Sequence, residues 1–107
     1  MFDQLAIDLH KIAVDKGFWG TPDDVDDIFI AKQCMMIVSE VTEVMEAVRK
    51  DKGSEEIAKE FADIIIRTLD LYAGMVEAGY TRESLDYILK QKSDFNKTRP
   101  EKHGVRF

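Results

Sequence analysis

Two acidic pairs flank a helix-breaking segment in the middle of the chain. The first pair is Glu40 and Glu43, the second is Glu60 and Asp63, and Asp51-Lys52-Gly53-Ser54 lies between them. In a helix, residues three apart lie about 60° apart around the axis and about 4.5 Å along it, so each pair projects from one helix face. A connection this short makes the two helices antiparallel neighbours. Because the pairs stand at similar distances from the turn, the sequence predicts a helical hairpin with four carboxylates at one level.

The apolar neighbours of Glu40 predict that the first pair faces inward. At about 100° per residue, Glu40 borders a broad apolar stripe, and Ala47 and Met36 lie on its other side. Glu46 falls on the polar arc of the helix and is therefore left out of the cluster. The stripe also predicts a core position for the only cysteine. Its members are Val44, Ile37, Val48, Val41, Cys34, Met45 and Val38.

The second helix is apolar over well over half of its circumference, and its narrow polar stripe carries Glu60 and Asp63. A helix with this pattern must be covered on more than one side. A chain of 107 residues offers few helices to do so. We therefore expect the protein to assemble as a homodimer or homotetramer.

Acidic residues at this spacing also occur on solvated helix faces. Lys59 with Asp63, or Asp63 with Arg67, would then be ordinary ion pairs worth a few tenths of a kcal/mol. Against this interpretation, an unpaired buried charge costs several kcal/mol even after relaxation. A hard divalent cation compensates several carboxylates together, and Mg²⁺ prefers few protein carboxylates plus waters and phosphates. The similar height of the two pairs favours a metal site for nucleotides.

The motifs Glu40-Val-Thr-Glu43 and Glu60-Phe-Ala-Asp63 resemble the metal-binding signature of the MazG-like all-α nucleoside triphosphate pyrophosphohydrolases. Two further stretches carry the resemblance: Lys16-Gly17-Phe18-Trp19, and a tail containing Lys92, Asn96, Arg99 and Pro100 followed by His103-Gly104. The likeness spans nearly the whole chain. Many family members have a second acid before the first motif, where this chain has Ser39. A metal ligand that this extra acid supplies in those members would here come from water or another residue.

The resemblance implies hydrolysis of a ribo- or deoxynucleoside triphosphate to the monophosphate and pyrophosphate. The cofactor would be Mg²⁺, with Mn²⁺ as a possible substitute, held by Glu40, Glu43, Glu60 and Asp63. These four are the expected catalytic and metal-binding residues, and one of them, with Glu40 as the candidate, would alternatively accept the proton of the attacking water. The role would be house-cleaning or control of the nucleotide pool.

The resemblance also implies substrate contacts outside the acidic motifs. Lys92, Asn96 and Arg99 would contact the substrate. Trp19 has two interpretations, because two aromatics in a loop often plug the end of a bundle. The alternative, which we include among the substrate-binding predictions, is that Trp19 stacks on or walls off the nucleobase.

Periodicity and capping signals predict four helices, and hence an all-α antiparallel bundle in a single domain, residues 1–107. The helices are expected over residues 2–16, from about 25 or 28 to 50, from 54 to about 79, and from 81 to about 96. Ser54 and Thr81 are the predicted N-caps. His10, on the first helix, is expected to have a solvent or packing role, since no second histidine stands at ligand spacing.

Composition restricts the class of partner and the compartment. The net charge of −6 argues against nucleic-acid binding, which favours a basic surface. A single cysteine suits a reducing cytoplasm. No leader or apolar run of membrane-spanning length is seen, so we expect a cytoplasmic protein with no membrane partner.

Two alternative functions remain open from sequence. The chain could hydrolyse a specialised nucleotide such as phosphoribosyl-ATP or a specific deoxynucleotide, because nothing in it fixes the base or sugar. From a different class, it could be a non-catalytic helical interaction module whose acids are surface charge. Dependence on Mg²⁺ separates this module from an enzyme.

Overall fold

The computed structural model describes residues 1–99, and this part of the chain is all-helical, with no strand. Four α-helices confirm the predicted fold class and helix number. A short 3₁₀ turn, Pro22–Asp24, lies between the first two. The helices are α1 (Phe2–Asp15), α2 (Asp27–Arg49), α3 (Ser54–Glu77) and α4 (Leu85–Thr98).

Helix α3 is the centre of the fold, because α1 and α2 both pack on it. Against α1, the core is formed by Ala6, Leu69 and Ala73. The alanines let the two helix axes approach closely. A second core cluster contains Ala13, Trp19 and Leu71, and partly buried side chains of α2 pack around it. The Trp19 loop therefore joins all three helices.

Helices α1 and α4 cap each other's N-termini. The Asp86 carboxylate accepts hydrogen bonds from the backbone N–H groups of Phe2 (2.7 Å) and Asp3 (3.0 Å). In return, the Asp3 carboxylate accepts one from the backbone N–H of Leu85 (2.7 Å). The Met1 amino group and the two backbone N–H groups lower the pKa of Asp86 to about 2. Backbone donors that neither helix can satisfy internally are thus paired, which fixes the start of α4 against α1.

Both predicted N-caps are wrong. Gly53 caps α3 with a φ of 96°, a conformation that favours glycine, and Ser54 is already the first helical residue. Helix α4 begins later than predicted because Ser84, rather than Thr81, accepts the hydrogen bond from the Tyr87 backbone. The connection before α4 is held by other contacts, among them a hydrogen bond from the Tyr80 hydroxyl to Asp27.

Helix α2 has a broad apolar stripe, but only one edge of this stripe packs on α3. The partly buried Ile37 and Val44 face the chain's own core, whereas the adjoining flank of the stripe is exposed. Cys34 is exposed as well, so its predicted core position is wrong in the single chain. We call this exposed flank the outer face of α2. Its exposed large apolar side chains are Met35, Val38, Val41, Met45 and Val48.

The shape of the chain agrees with this exposure. Its radius of gyration is 16.4 Å, whereas a compact domain of this length has about 13 Å. Within residues 1–99, none of the helices combines the length and apolar character that a membrane crossing requires.

Candidate functional site: an acidic cluster at the end of a cleft

Three of the four predicted carboxylates converge between α2 and α3. Glu40 comes from α2, and Glu60 and Asp63 come from α3 one turn apart. Each offers a carboxylate oxygen, and these oxygens all lie within 4.8 Å of one another. The tight turn at Gly53 makes the helices antiparallel and brings the motifs level. We refer to Glu40, Glu60 and Asp63 as the acidic cluster.

The other two glutamates of α2 lie outside the acidic cluster. Glu43 is exposed, although its charge is still close enough to raise the pKa of Glu60. Glu46 forms ion pairs with Arg49 (2.9 Å) and Lys50 (3.3 Å). Hydrogen bonds from these two cations lower its pKa. The exclusion of Glu46 agrees with this arrangement, and the role of Glu43 as a ligand stays a prediction.

The pKa of Glu60 responds to the acidic cluster around it. Burial raises its pKa above the ordinary value of 4.5, and the charges of Asp63, Glu43 and Glu40 raise it further, with Lys52 acting in the opposite direction. Several carboxylates at this spacing repel one another unless one is protonated or a cation lies between them. The donor set is all oxygen, which hard cations such as Mg²⁺ and Mn²⁺ prefer. The chemistry of these side chains therefore fits a divalent cation.

The acidic cluster forms one end of a cleft of about 580 Å³ between α1, α2 and α3. Glu40 and Asp63 line that end, and Phe18 and Trp19 line the other. The polar residues Lys32 and Gln33 also face the cleft, from the first turns of α2. Its remaining lining residues are Leu9, Ile12, Ala13, Met36, Ile66, Arg67 and Asp70.

Trp19 is a buried wall of this cleft. Its indole Nε1–H donates to both carboxylate oxygens of Asp70, at 3.0 and 3.1 Å. Its ring makes an edge contact with Phe29, with ring centroids 5.1 Å apart. Helix α3 makes room for the indole with Gly74, since a Cβ there would lie 2.6 Å from Cζ2 and Cζ3 of the tryptophan. The side chain is therefore held in one orientation, which is compatible with a packing role and with walling off a ligand.

His10 is buried beside Trp19 and links α1 to α3. Its Nδ1 lies 2.8 Å from a carboxylate oxygen of Asp70, and its Nε2 lies 3.2 Å from Glu77. The imidazole also contacts the indole of Trp19 edge-on, with centroids 4.7 Å apart. Of the solvent and packing roles expected for His10, the structure shows the packing role. Asp70 is the residue that sequence reasoning missed, because its partners lie far away along the chain.

Replacement of Asp70 by alanine should destabilise the fold. The indole N–H of Trp19 and a ring nitrogen of His10 would lose their shared partner, and each buried polar group left unpaired costs about 1–3 kcal/mol. Chemical denaturation at pH 7 measures the change in unfolding free energy. Asp94→Ala, which removes an exposed carboxylate of α4 that pairs with Lys90, should change stability by less than about 0.5 kcal/mol. Equal effects of the two substitutions would show that the buried contacts contribute nothing.

The ion pairs of Lys59 and Arg67 differ from the two that were considered from sequence. Lys59 pairs with Glu55 and Glu56 rather than with Asp63. Arg67 reaches across to α2, where its Nε lies 2.8 Å from a carboxylate oxygen of Glu40. Spacing along one helix could not reveal this contact, because it joins two helices.

The predicted substrate contacts of the tail lie on α4 and on the residue that follows it. Lys92 and Asn96 are exposed, and none of Lys92, Asn96 and Arg99 lines the cleft of their own chain. The Arg99 guanidinium donates to the Asn96 side chain at 3.4 Å and lies over the ring of Phe95. The end of the matched tail, from Pro100 through His103-Gly104, is outside the described residues. The roles of these side chains stay predictions.

Comparisons of the chain with known protein families, with curated proteins and with solved structures found no match.

Proposed function

We propose that the protein is a divalent-cation-dependent nucleoside triphosphate pyrophosphohydrolase, which converts a ribo- or deoxynucleoside triphosphate to its monophosphate and pyrophosphate. The observation that carries this proposal is the acidic cluster at the end of the cleft. Three carboxylates with oxygens within 4.8 Å of one another offer a place for Mg²⁺ or Mn²⁺. Three of the four acids in the motifs that resemble the MazG-like group form this cluster.

The cleft has the size and polarity of a nucleotide site. Its volume of about 580 Å³ falls within the range of about 300–1,000 Å³ found for small-molecule sites. Asp63 and Asp70 mark its two ends along α3, seven residues and therefore about 10 Å apart. We assign the acidic end to the phosphates and the end walled by Phe18 and Trp19 to the base.

Each residue of the site has a role in this proposal. Glu40, Glu60 and Asp63 hold the cation, with Glu43 as a further predicted ligand. When bound, the cation supplies Lewis-acid activation of water and neutralises charge on the departing pyrophosphate. Trp19 excludes water from the base end of the cleft. The base and sugar preference is the property that decides between house-cleaning and control of a nucleotide pool.

Asp63→Ala tests the assignment of the acidic cluster. Removing one carboxylate should weaken the cation site and lower turnover of the best triphosphate by about 10³-fold, since cation stabilisation of the transition state is worth several kcal/mol. The helical content should remain, because Asp63 is exposed. Glu46→Ala on α2 is the matched control and should retain activity. Full activity of the Asp63 variant would refute the assignment.

The assembly belongs to the same proposal: the protein forms a homodimer or homotetramer through the outer face of α2. Exposed apolar side chains run along this face for several turns, and a monomer in water rarely leaves such a patch uncovered. Association also offers a route by which Lys92, Asn96 and Arg99 of one protomer can reach the cleft of another.

Met45→Lys should therefore reduce the assembly. Met45 is 63% exposed in the single chain, so a charge there is tolerated by the fold but not by an apolar interface. Light scattering coupled to size-exclusion chromatography measures the mass, which should fall toward 12.3 kDa. Gln4→Lys, an exposed substitution on α1, should leave the mass unchanged. A monomeric wild type, or a Met45 variant of undiminished mass, would contradict this interface.

The outer face of α2 also favours a second candidate, a non-catalytic interaction module. The two functions differ in their response to Mg²⁺. A cation that binds only the folded state at 100 times its dissociation constant stabilises it by about 2.7 kcal/mol. A module whose acids are surface charge should show no such effect.

A further inference from the structure

Arg67 lies in the cleft next to the acidic cluster. It follows Asp63 by four residues on α3, so both side chains project from the same face of the helix. Asp70, at the aromatic end, follows Arg67 by three residues and lines the same cleft. Arg67 therefore lies one turn from Asp63, beside the acidic end of the cleft, to which the proposed function assigns the phosphates.

Only part of the guanidinium of Arg67 is engaged within residues 1–99. Its Nε donates to Glu40 Oε1 at 2.8 Å, and that is the only hydrogen bond of its side chain among the described residues. The side chain is 39% exposed, whereas that of Glu40 is 17% exposed. The anchored Nε–H fixes the plane of the guanidinium and leaves the four N–H bonds of the terminal nitrogens available.

The lining of the cleft contains two cations, Arg67 and Lys32. Lys32 stands two turns before Glu40 on α2, about 12 Å along the helix. Arg67 contacts Glu40 directly and is thus the cation joined to the acidic cluster. The basic side chains Lys92 and Arg99 do not line this cleft.

We propose that Arg67 binds the polyphosphate of the substrate, as a substrate-binding residue held in place by Glu40; this assignment rests on the proposed function. Guanidinium N–H groups match phosphate oxygens in a two-pronged geometry that an ammonium cannot reproduce. Glu40 has two carboxylate oxygens, so it can accept from Arg67 with one and contribute the other to the acidic cluster. A metal ion held by the acidic cluster would neutralise part of the phosphate charge, and Arg67 would pair with the rest.

Equilibrium binding of non-hydrolysable α,β-methylene triphosphates and of inorganic pyrophosphate, at fixed free Mg²⁺, tests the proposal. The variants are Arg67→Met, which keeps the length of the side chain without its charge, and Arg67→Lys, which keeps the charge without the fork. Arg49→Met is the matched control, because Arg49 is an exposed arginine on α2 that pairs with Glu46. The parent nucleoside, which has no phosphate, reports on the base end. Thermal unfolding of each variant reports on the fold.

We expect Arg67→Met to weaken triphosphate binding by about 10- to 100-fold, the loss of one or two charge-assisted hydrogen bonds. Arg67→Lys should fall between this variant and the wild type. Nucleoside binding should be the same in all of them, and Arg49→Met should match the wild type throughout. The inference is overturned if Arg67→Met binds the triphosphate as tightly as Arg49→Met, or if it loses nucleoside and triphosphate affinity equally. Arg67 would then be a structural counter-ion only.

The same data separate this inference from the proposed function. If the wild type binds pyrophosphate and triphosphate through Arg67 but hydrolyses no triphosphate, the anion site stands and the proposed reaction fails. If the wild type hydrolyses triphosphates and Arg67→Met has unchanged affinity and KM, the reaction stands and the role of Arg67 fails. A wild type that binds no phosphate compound overturns both.

Discussion

The Glu60→Gln variant is expected to be more stable than the wild type in the absence of divalent cations and to have lost its activity. Burial and the charges of Asp63, Glu43 and Glu40 raise the pKa of Glu60. A carboxyl whose pKa is raised by folding binds its proton more tightly in the folded state, so its ionisation destabilises the fold as pH rises through that pKa. An uncharged amide of the same shape removes this destabilisation at pH 7. It also removes a ligand, so turnover should fall by about 10³-fold.

Two measurements check this prediction together. In chelator, the unfolding temperature of Glu60→Gln should exceed that of the wild type at pH 7, and the difference should vanish as pH falls below the ordinary pKa of a glutamate. On addition of Mg²⁺, the wild type should gain stability and the variant should gain much less. A variant that is less stable than the wild type in chelator, or that gains equally from Mg²⁺, would contradict the acidic cluster as a cation site.

Glu46→Gln is the control of opposite sign. Hydrogen bonds from Arg49 and Lys50 lower the pKa of Glu46. Its ionised form thus stabilises the fold above the ordinary pKa of a glutamate, and this contribution is lost as pH falls through the lowered pKa. At pH 7 the amide should slightly lower the unfolding temperature without changing the response to Mg²⁺. The opposite signs at a glutamate among carboxylates and at one paired with cations distinguish a site from general surface charge.

The Gly74→Ala substitution is expected to destabilise the protein, although alanine is normally the better residue inside a helix by about 1 kcal/mol. Gly74 lies within α3, and an added Cβ would lie 2.6 Å from two ring carbons of Trp19 and closer still to a third. The indole is buried and hydrogen-bonded to Asp70, so it cannot move freely aside. Overpacking of this kind costs about 1–3 kcal/mol.

Denaturation and tryptophan fluorescence measure the effect, since Trp19 is the only tryptophan. The emission should shift to longer wavelength if the indole is displaced toward water. The double variant Gly74→Ala with Trp19→Ala should show a coupling energy, because the clash needs both partners. Ala58 on α3 is exposed, and Ala58→Gly gives the ordinary helix-propensity effect for comparison. A stabilised Gly74→Ala variant would show that the indole does not occupy this position.

The parts of the fold that could be predicted from sequence depend on local patterns. Helix periodicity and the break at Gly53 are local, and they sufficed to predict the hairpin and the approach of Glu40, Glu60 and Asp63. Glu43 shows the limit of this reasoning. It lies about 60° further round α2 than Glu40, away from the face that contacts α3, and a difference of this size separates an exposed side chain from the acidic cluster.

The parts that could not be predicted depend on contacts between distant segments. Trp19 and Asp70 are 51 residues apart, and His10 and Asp70 are 60 apart, so no spacing rule connects them. Cys34 was misplaced because a broad apolar stripe does not reveal which of its edges packs within its own chain. The position of α4 depends on the reciprocal capping of Asp3 and Asp86, which the order of motifs along the chain does not encode.

The most direct test of the central claim is product analysis for a panel of ribo- and deoxynucleoside triphosphates incubated with the wild-type protein, in Mg²⁺ and in chelator. The account predicts equal amounts of nucleoside monophosphate and pyrophosphate, formed only with the divalent cation, and a ranking of bases that identifies the substrate. Release of inorganic phosphate with a diphosphate product, cleavage that persists in chelator, or no cleavage of any triphosphate would contradict it.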